Sequence, residues 1–367
     1  MIIIKQTKDT IEDTVYDALS EIRYQPQHER ALIKPCIPSP CQNGAPYITN
    51  HKITAGVIDY LRHHGTKEII VGESPLRNYE KTFVVSGYEK MCKERDAALV
   101  NLHHAERRGI AWDYGEIQIP SIVLDSEYIN IAKLKVHTST TVTLSMKNQL
   151  GLLKKEDTKK IHLLGLHRPI AALAGVVKPD MIIIDALNGE QGGPAGKHGQ
   201  EVQGINLVIC GTHLLSTDAA ATRLMGFEPE NIRHLKIARD MGIDEFEDEM
   251  MGLPLNECQM NFIPLTDHRR IGKLYYHWTD ETCSGCLGLM AEIRATVLSH
   301  PWHIGRFIRY GLLQRLDILT GKPKIIKETH GSRIIGVGDC MRDIASRHGI
   351  PFVPGCPPKA VDVLRKI

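Results

Sequence analysis

The sequence predicts an α/β fold: a mainly parallel sheet flanked by helices, followed by a C-terminal, cysteine-containing α/β portion. Three observations predict it. Short apolar runs of strand length (MIIIK, ALIKP, EIIVG, MIIID, NLVIC) recur along the chain and stop at Lys, Pro, Gly or Asp. Between several of them lie stretches with apolar residues at helical spacing, long enough for right-handed crossovers. Four of the nine cysteines gather in the last quarter. Residues 1–243 are therefore expected to form the core. Residues 244–367 are expected to form a portion holding a CxxC, a basic amphipathic helix and the GDC and GCPP segments.

Met1 to Lys5 reads as a first strand. Thr10 to Ile22, with Ile11, Val15, Ala18, Leu19 and Ile22 on one side, reads as an amphipathic helix. Arg30 to Pro35 is a second strand that opens into the loop CIPSPCQNGAP. Lys34 thus stands at the carboxyl end of a buried strand, where open α/β sheets place ligand contacts. Thr49 is a candidate cap for a helix running to Gly65, and Glu68 to Gly72 is the next strand. A helix over Tyr88 to Glu94 and strands near Ala98 to Asn101 and Glu116 to Ile119 follow.

The stretch YINIAKLKVHTSTTVTLSMKNQLG, Tyr128 to Gly151, places charge where burial alone would not. Ile129, Ile131, Leu134 and Val136 read as a buried strand, yet Lys133, Lys135 and His137 alternate along one face of it. Five hydroxyl residues among Thr138 to Thr143 come next, then Lys147, Asn148 and Gly151. So many donors in a short span suit a carboxylate or phosphate. A solvated strand edge guarded by lysines is the plainer reading, but it does not require the hydroxyls or the Lys-Asn pair.

Beyond Gly151 a charged segment with His162 and His167 precedes an apolar helix through Ile170 to Val177. Met181 to Asp185 is a buried strand ending in an acid. It opens into ALNGEQGGPAGKHG, which carries five glycines from Gly189 to Gly199, including Gly192 and Gly193. Such a loop lets backbone N–H groups approach an anion, although it matches neither a Walker P-loop nor GxGxxG. Asn206 to Cys210 is a further strand, Asp218 is read as the start of a helix with a possible second role at the ligand, and Pro229 to Gly242 is another helix.

Composition narrows the classes. Hydrophobic content of 42% and charged content of 24% are those of an ordinary globular protein. A net charge of +2 gives no support to non-specific nucleic-acid binding. No apolar window reaches membrane-span length and no leader opens the chain, so a cytoplasmic protein is expected. Trp302 to Leu319 reads as a basic amphipathic helix.

The segments ALIKPCIPSP, KLKVHTSTTVTLSMKNQLGL, IIIDALNGEQGGPAGKHG and TDAAATRLMGFEPENIRHLKIARDMG together resemble the family called domain of unknown function 362, over roughly residues 30 to 243. The resemblance implies a cytoplasmic α/β protein of a family often linked to iron–sulfur clusters through a ferredoxin-like insertion or tail. It also maps the Lys-x-His and Lys-Asn pairs of the family onto Lys135, His137, Lys147 and Asn148, and its acid and glycine loop onto Asp185, Gly192, Gly193 and Gly196. This chain departs from the pattern in lacking a compact ferredoxin cysteine run.

Its own tail supplies sulfurs instead. Cys283 and Cys286 form a CxxC, and Cys340 and Cys356 lie in glycine-rich, apolar surroundings, Cys356 followed by two prolines. Four thiolates can close on a [4Fe–4S] cluster or on Zn²⁺, and the proline after Cys356 and the single CxxC favour the cluster. The functional expectation is an iron–sulfur oxidoreductase or electron-transfer enzyme acting on a small anionic substrate, served by a ferredoxin-like redox partner. Lys135, His137, Lys147, Asp185 and His162 would be catalytic. Lys34, Asn148, Gly192, Gly193 and Asp218 would bind substrate. The alternatives are a non-redox racemase, isomerase or lyase in which Lys and His move protons, and a cluster or metal delivery protein.

Overall fold

The computed structural model describes residues 1–75, 78–137, 139–164, 166–192, 200–246, 250–264, 270–278, 282, 286, 289–299, 305, 308–309, 313–321, 323 and 333–366. In chain order the main body comprises β1 (Ile2–Gln6), α1 (Ile11–Glu21), β2 (Arg30–Lys34), α2 (His51–His63), β3 (Glu68–Glu73), α3 (Tyr79–Val85), α4 (Tyr88–Glu94), β4 (Ala98–Asn101), β5 (Arg107–Trp112), β6 (Gly115–Pro120) and α5 (Ser121–Leu124). It continues through β7 (Glu127–His137), β8 (Thr141–Thr143), α6 (Ser145–Asn148), α7 (Lys155–Leu164), α8 (His167–Val176), β9 (Met181–Gln191), β10 (Gln200–Val202), β11 (Leu207–Gly211), α9 (Leu214–Leu224), α10 (Arg233–Asp240) and β12 (Met250–Gly252).

The main sheet runs in the order β12-β1-β11-β9-β7-β2-β3-β4, with β8 paired to β7 and β10 to β9. Along that path the pairs are parallel except those made by β11, which is antiparallel to both β1 and β9. The mainly parallel α/β fold is thus the observed one. From β2 the chain builds outward through β3 and β4, and from β7 it builds the other way through β9 and β11. The order therefore reverses between β2 and β7, and the carboxyl ends of strands that diverge in this way are where open α/β sheets place a ligand crevice.

Two apolar layers cover the sheet. Ile33, Ile129, Ile131 and Ile183 pack with Val15, Leu19, Ile53 and Ile58 on one face. Leu134, Val136, Ile182 and Ile184 pack with Ile170, Leu173, Leu224 and Leu235 on the other. Period-two alternation in β7 explains the division: even positions face one layer and odd positions the other, so Lys133 and Lys135 point into the α1–α2 side. A second sheet, β13 (Arg270–Ile271), β14 (Leu274–His277), β15 (Leu316–Leu319), β16 (Arg333–Val337) and β17 (Phe352–Val353), is parallel except at its first pair. Helices Leu289–Ser299 and Ala360–Lys366 supply Met290, Ile293, Val363 and Leu364 to its core.

Several expectations are corrected. Leu316–Leu319 is a buried strand, so no single helix spans residues 302–319, eight of which lie outside the described residues. Parallel pairing of β12 with β1 carries the main sheet past residue 243. The apolar run at 181–185 continues as strand to Gln191 because β10 pairs with its second half. Among the described residues, no helix is long and apolar enough to cross a membrane.

Candidate functional site

At the crevice between β2 and β7 the lysines are buried, and burial dictates that each finds a partner or loses its proton. Lys34 takes the first course. Its Nζ donates to Glu73 Oε2 at 3.1 Å, Asn148 Oδ1 at 3.1 Å and the Pro35 carbonyl at 3.0 Å, which accounts for all three protons. Glu73 also accepts from the N–H groups of Ile37 and Ser74. Asn148 turns its amide nitrogen to Asn130 Oδ1 at 2.7 Å. Both residues therefore fasten the loop after β2 to α6, and they have no group left for a substrate.

Lys133 and Asp185 form a second buried pair at 2.8 Å. Lys133 also donates to Asn188, and Asp185 accepts from the backbone N–H groups of Asn50 and Leu187. Burial pulls the Lys133 ammonium below the ordinary lysine range, with Asp185 opposing. Asp185 thus acts as a strut between β9 and the start of α2. Asn50 caps α2; Thr49 instead ties Cys36 N–H to the Ile131 carbonyl.

Asp218 lies in the second turn of α9, which starts at Leu214. Its carboxylate accepts from Ser145 N–H at 2.8 Å, Ser145 Oγ at 2.5 Å and Met146 N–H at 2.9 Å. It thus serves the free N–H groups of α6 and not those of its own helix. Burial raises its carboxyl to about 6, against these three hydrogen bonds. Gly192 donates its N–H to the Ile263 carbonyl at 3.0 Å, so that donor is not offered to an anion. At Gly189 a Cβ would stand 2.7 Å from the Phe262 ring, which explains the glycine by packing. Gly193, Gly196 and Cys283 fall outside the described residues, as does the side chain of His162, which is carried on α7.

Lys135, His137 and Lys147 remain. Lys135 Nζ lies 3.3 Å from Cys36 Sγ and donates to the Tyr47 carbonyl at 2.9 Å, so two of its three protons are used. His137, at the end of β7, accepts from Ser139 N–H through Nδ1 at 3.0 Å. Lys147 differs from every other lysine of the cluster. Its Nζ is shut off from solvent and has no hydrogen-bond partner among the described residues. Burial first, and then the charge of Lys135, hold that amine well below the lysine range.

Thr141 and Thr143 have buried hydroxyls with no described partner, and β8 sets them opposite His137 and Lys135. His234, at the start of α10, is fully buried, has neither ring nitrogen bonded among the described residues and stacks on His167 with ring centroids 6.1 Å apart. Burial, His167 and Lys147 all push it to the neutral form. Cys36, Tyr47 and His234 were not singled out as site residues from the sequence, whereas Thr141 and Thr143 belong to its hydroxyl run. The signal for Cys36 was present in LIKPC, two residues past Lys34.

In the second sheet, a Cβ on Gly338, whose φ is +91°, would meet Cys286 Sγ at 3.1 Å and Cys340 Sγ at 3.4 Å. Two of the four expected sulfurs therefore converge on one glycine. Cys356 Sγ instead accepts from Arg233 at 3.2 Å. Among the described residues no group of three His, Cys, Asp or Glu side chains could hold a metal ion.

The family profile for domain of unknown function 362 matches residues 32–223, from β2 to α9. The chain belongs to that family. Both halves of the crevice lie inside the matched segment, whereas the cysteine tail lies beyond it. The chain is also similar to the thylakoid-associated protein sll1697 of Synechocystis sp., with 22% identity over 227 residues, 59% of this chain and 69% of that protein.

Proposed function

We propose that this member of the domain of unknown function 362 family is an enzyme that moves a proton on a small anionic substrate, at a carbon next to a carbonyl or carboxylate. One observation carries the reading: Lys147 presents an enclosed amine with no hydrogen-bond partner among the described residues, and burial holds it well below the ordinary lysine range. An unpaired buried donor costs free energy that a bound polar molecule recovers. An amine that is neutral at physiological pH is a competent general base.

The third proton of Lys135 and the hydroxyls of Thr141 and Thr143, which lack partners among the described residues, would receive substrate oxygens and stabilise negative charge as the C–H bond breaks. Racemisation, isomerisation or elimination can each follow from that step. The test is proton exchange: the purified chain is incubated in D₂O with a panel of 2-hydroxy, 2-amino and 2-oxo acids, and loss of the α-proton signal is followed by NMR. Exchange with at least one compound, abolished in Lys147→Met, is expected. Absence of exchange across the panel would sink the reading.

A second reading, an iron–sulfur electron-transfer role with a ferredoxin-like partner, is favoured by the convergence of Cys286 and Cys340 on Gly338. These two sulfurs fit a thiolate-bound [4Fe–4S] cluster or Zn²⁺, and such a cluster would supply one-electron transfer. Cys356, bonded to Arg233, does not point to the same place. Anaerobic purification with iron, sulfide and zinc analysis tests it; a colourless, metal-free protein that cannot be reconstituted removes it.

A further inference from the structure

We propose that Cys36 is the covalent nucleophile of this site and that it takes the carbonyl carbon of a small aldehyde or 2-oxo acid. The inference goes beyond the proton-transfer reading, adding a second reaction at the same residues, and rests on Lys147 being an available base. The backbone of Cys36 is fixed on both sides: its N–H donates to Thr49 Oγ1 at 2.9 Å, and its carbonyl accepts from Thr49 N–H at 2.9 Å. The next residue, Ile37, donates to Glu73. The thiol is thereby held at the carboxyl end of β2, 7% exposed, with Lys135 Nζ 3.3 Å from its sulfur.

Two further polar groups, on the β8–α6 segment beside β7, lack partners among the described residues. Thr143, 8% exposed, stands opposite Lys135 in the β7–β8 hairpin, and the Lys147 amine interacts electrostatically with both Lys135 and Cys36. The charged and titratable groups that act on this thiol come from β7 (Lys133, Lys135), α6 (Lys147) and α4 (Tyr88). In the step, the S–H bond breaks and its proton passes to Lys147 Nζ. The sulfur pair forms a C–S bond to the carbonyl carbon. The C=O π pair moves onto oxygen, which takes the proton back from Lys147, giving a hemithioacetal or hemithioketal with no leaving group and no net redox change. The ammonium of Lys135 stabilises the negative charge that passes from sulfur to oxygen.

The experiment is timed alkylation of the reduced full-length chain with iodoacetamide, each cysteine being quantified by peptide mass spectrometry. Cys36, 7% exposed, is expected to react at least tenfold faster than Cys92 and Cys210, which are 1% and 0% exposed in apolar surroundings. Lys147→Ala should slow Cys36 at least tenfold, leave Cys340 and Cys356 unchanged, and be rescued by added ethylamine. Glyoxylate, the aldehyde probe, should slow Cys36 alone. Reaction of Cys36 no faster than Cys210, or a loss in Lys147→Ala that ethylamine does not restore, overturns the proposal. A Cys36 rate that glyoxylate leaves unchanged, with α-proton exchange still present in the parent, would do so while leaving the proton-transfer reading intact.

Discussion

Asp218 in α9 and Ser145 at the start of α6, 73 positions apart, are joined by two hydrogen bonds, at 2.8 Å from the serine N–H and 2.5 Å from its hydroxyl. Met146 N–H supplies a third bond to the same carboxylate. This one acid fixes the four-residue helix that carries both Lys147 and Asn148. Such a short helix has no stability of its own. Replacement by Asn puts an NH₂ group where one of the carboxylate oxygens accepts. Asp218→Asn should therefore lower stability by about 1–3 kcal/mol and abolish α-proton exchange, as measured by denaturant unfolding and NMR. A variant of unchanged stability and activity would show that α6 is held by other means.

Lys147 makes a prediction with a definite sign. Burial holds its amine well below the lysine range in the fold, whereas in the unfolded chain it takes up a proton below the ordinary lysine pKa of about 10.4. Between the two pKa values the unfolded state binds more protons, so this residue destabilises the fold at neutral pH and progressively less as pH rises toward the unfolded value. Lys147→Met should be more stable than the parent at pH 7, with the gain shrinking as pH approaches that of ordinary lysine. Urea unfolding across pH measures this. A methionine variant that is equally stable at every pH would place the amine in solvent.

Gly151 is fixed by the Lys34–Glu73 pair. A Cβ there would come within 2.7 Å of both Glu73 Oε1 and Lys34 Nζ. Gly151→Ala should push the buried pair aside at a cost of about 1–3 kcal/mol, readable as a lower denaturation midpoint. A shift well under 1 kcal/mol would mean that the loop relaxes around the methyl group.

Gly338 plays the same part for the tail. Gly338→Ala, at φ +91° and against two sulfurs, should reduce whatever metal or sulfide the anaerobically purified protein carries by more than half. Metal content equal to that of the parent would show that Cys286 and Cys340 do not share a ligand.

The strand runs and the alternation of Lys133 and Lys135 made the sheet and the position of the crevice legible from the sequence, because both are local periodicities. What the lysines do there was not legible. Lys34 and Lys133 are neutralised by Glu73 and Asp185, partners 39 and 52 positions away. Asp218 was assigned to the start of its own helix because DAAATRL looks like one. Only tertiary contact shows that the helix begins four residues earlier and that the carboxylate caps α6 instead. Cys36 escaped notice because isolated cysteines are dispersed through the chain, and its neighbour Lys135 is 99 positions distant.

The central claim is that one buried lysine is unprotonated under working conditions. Its most direct test is a ¹³C NMR titration of the reductively dimethylated chain, with the Lys147 signal assigned by its absence from Lys147→Arg. A resonance that stays in the neutral position down through pH 7, well apart from the bulk lysines, is the predicted result. A Lys147 signal titrating with the rest near pH 10 would contradict the account.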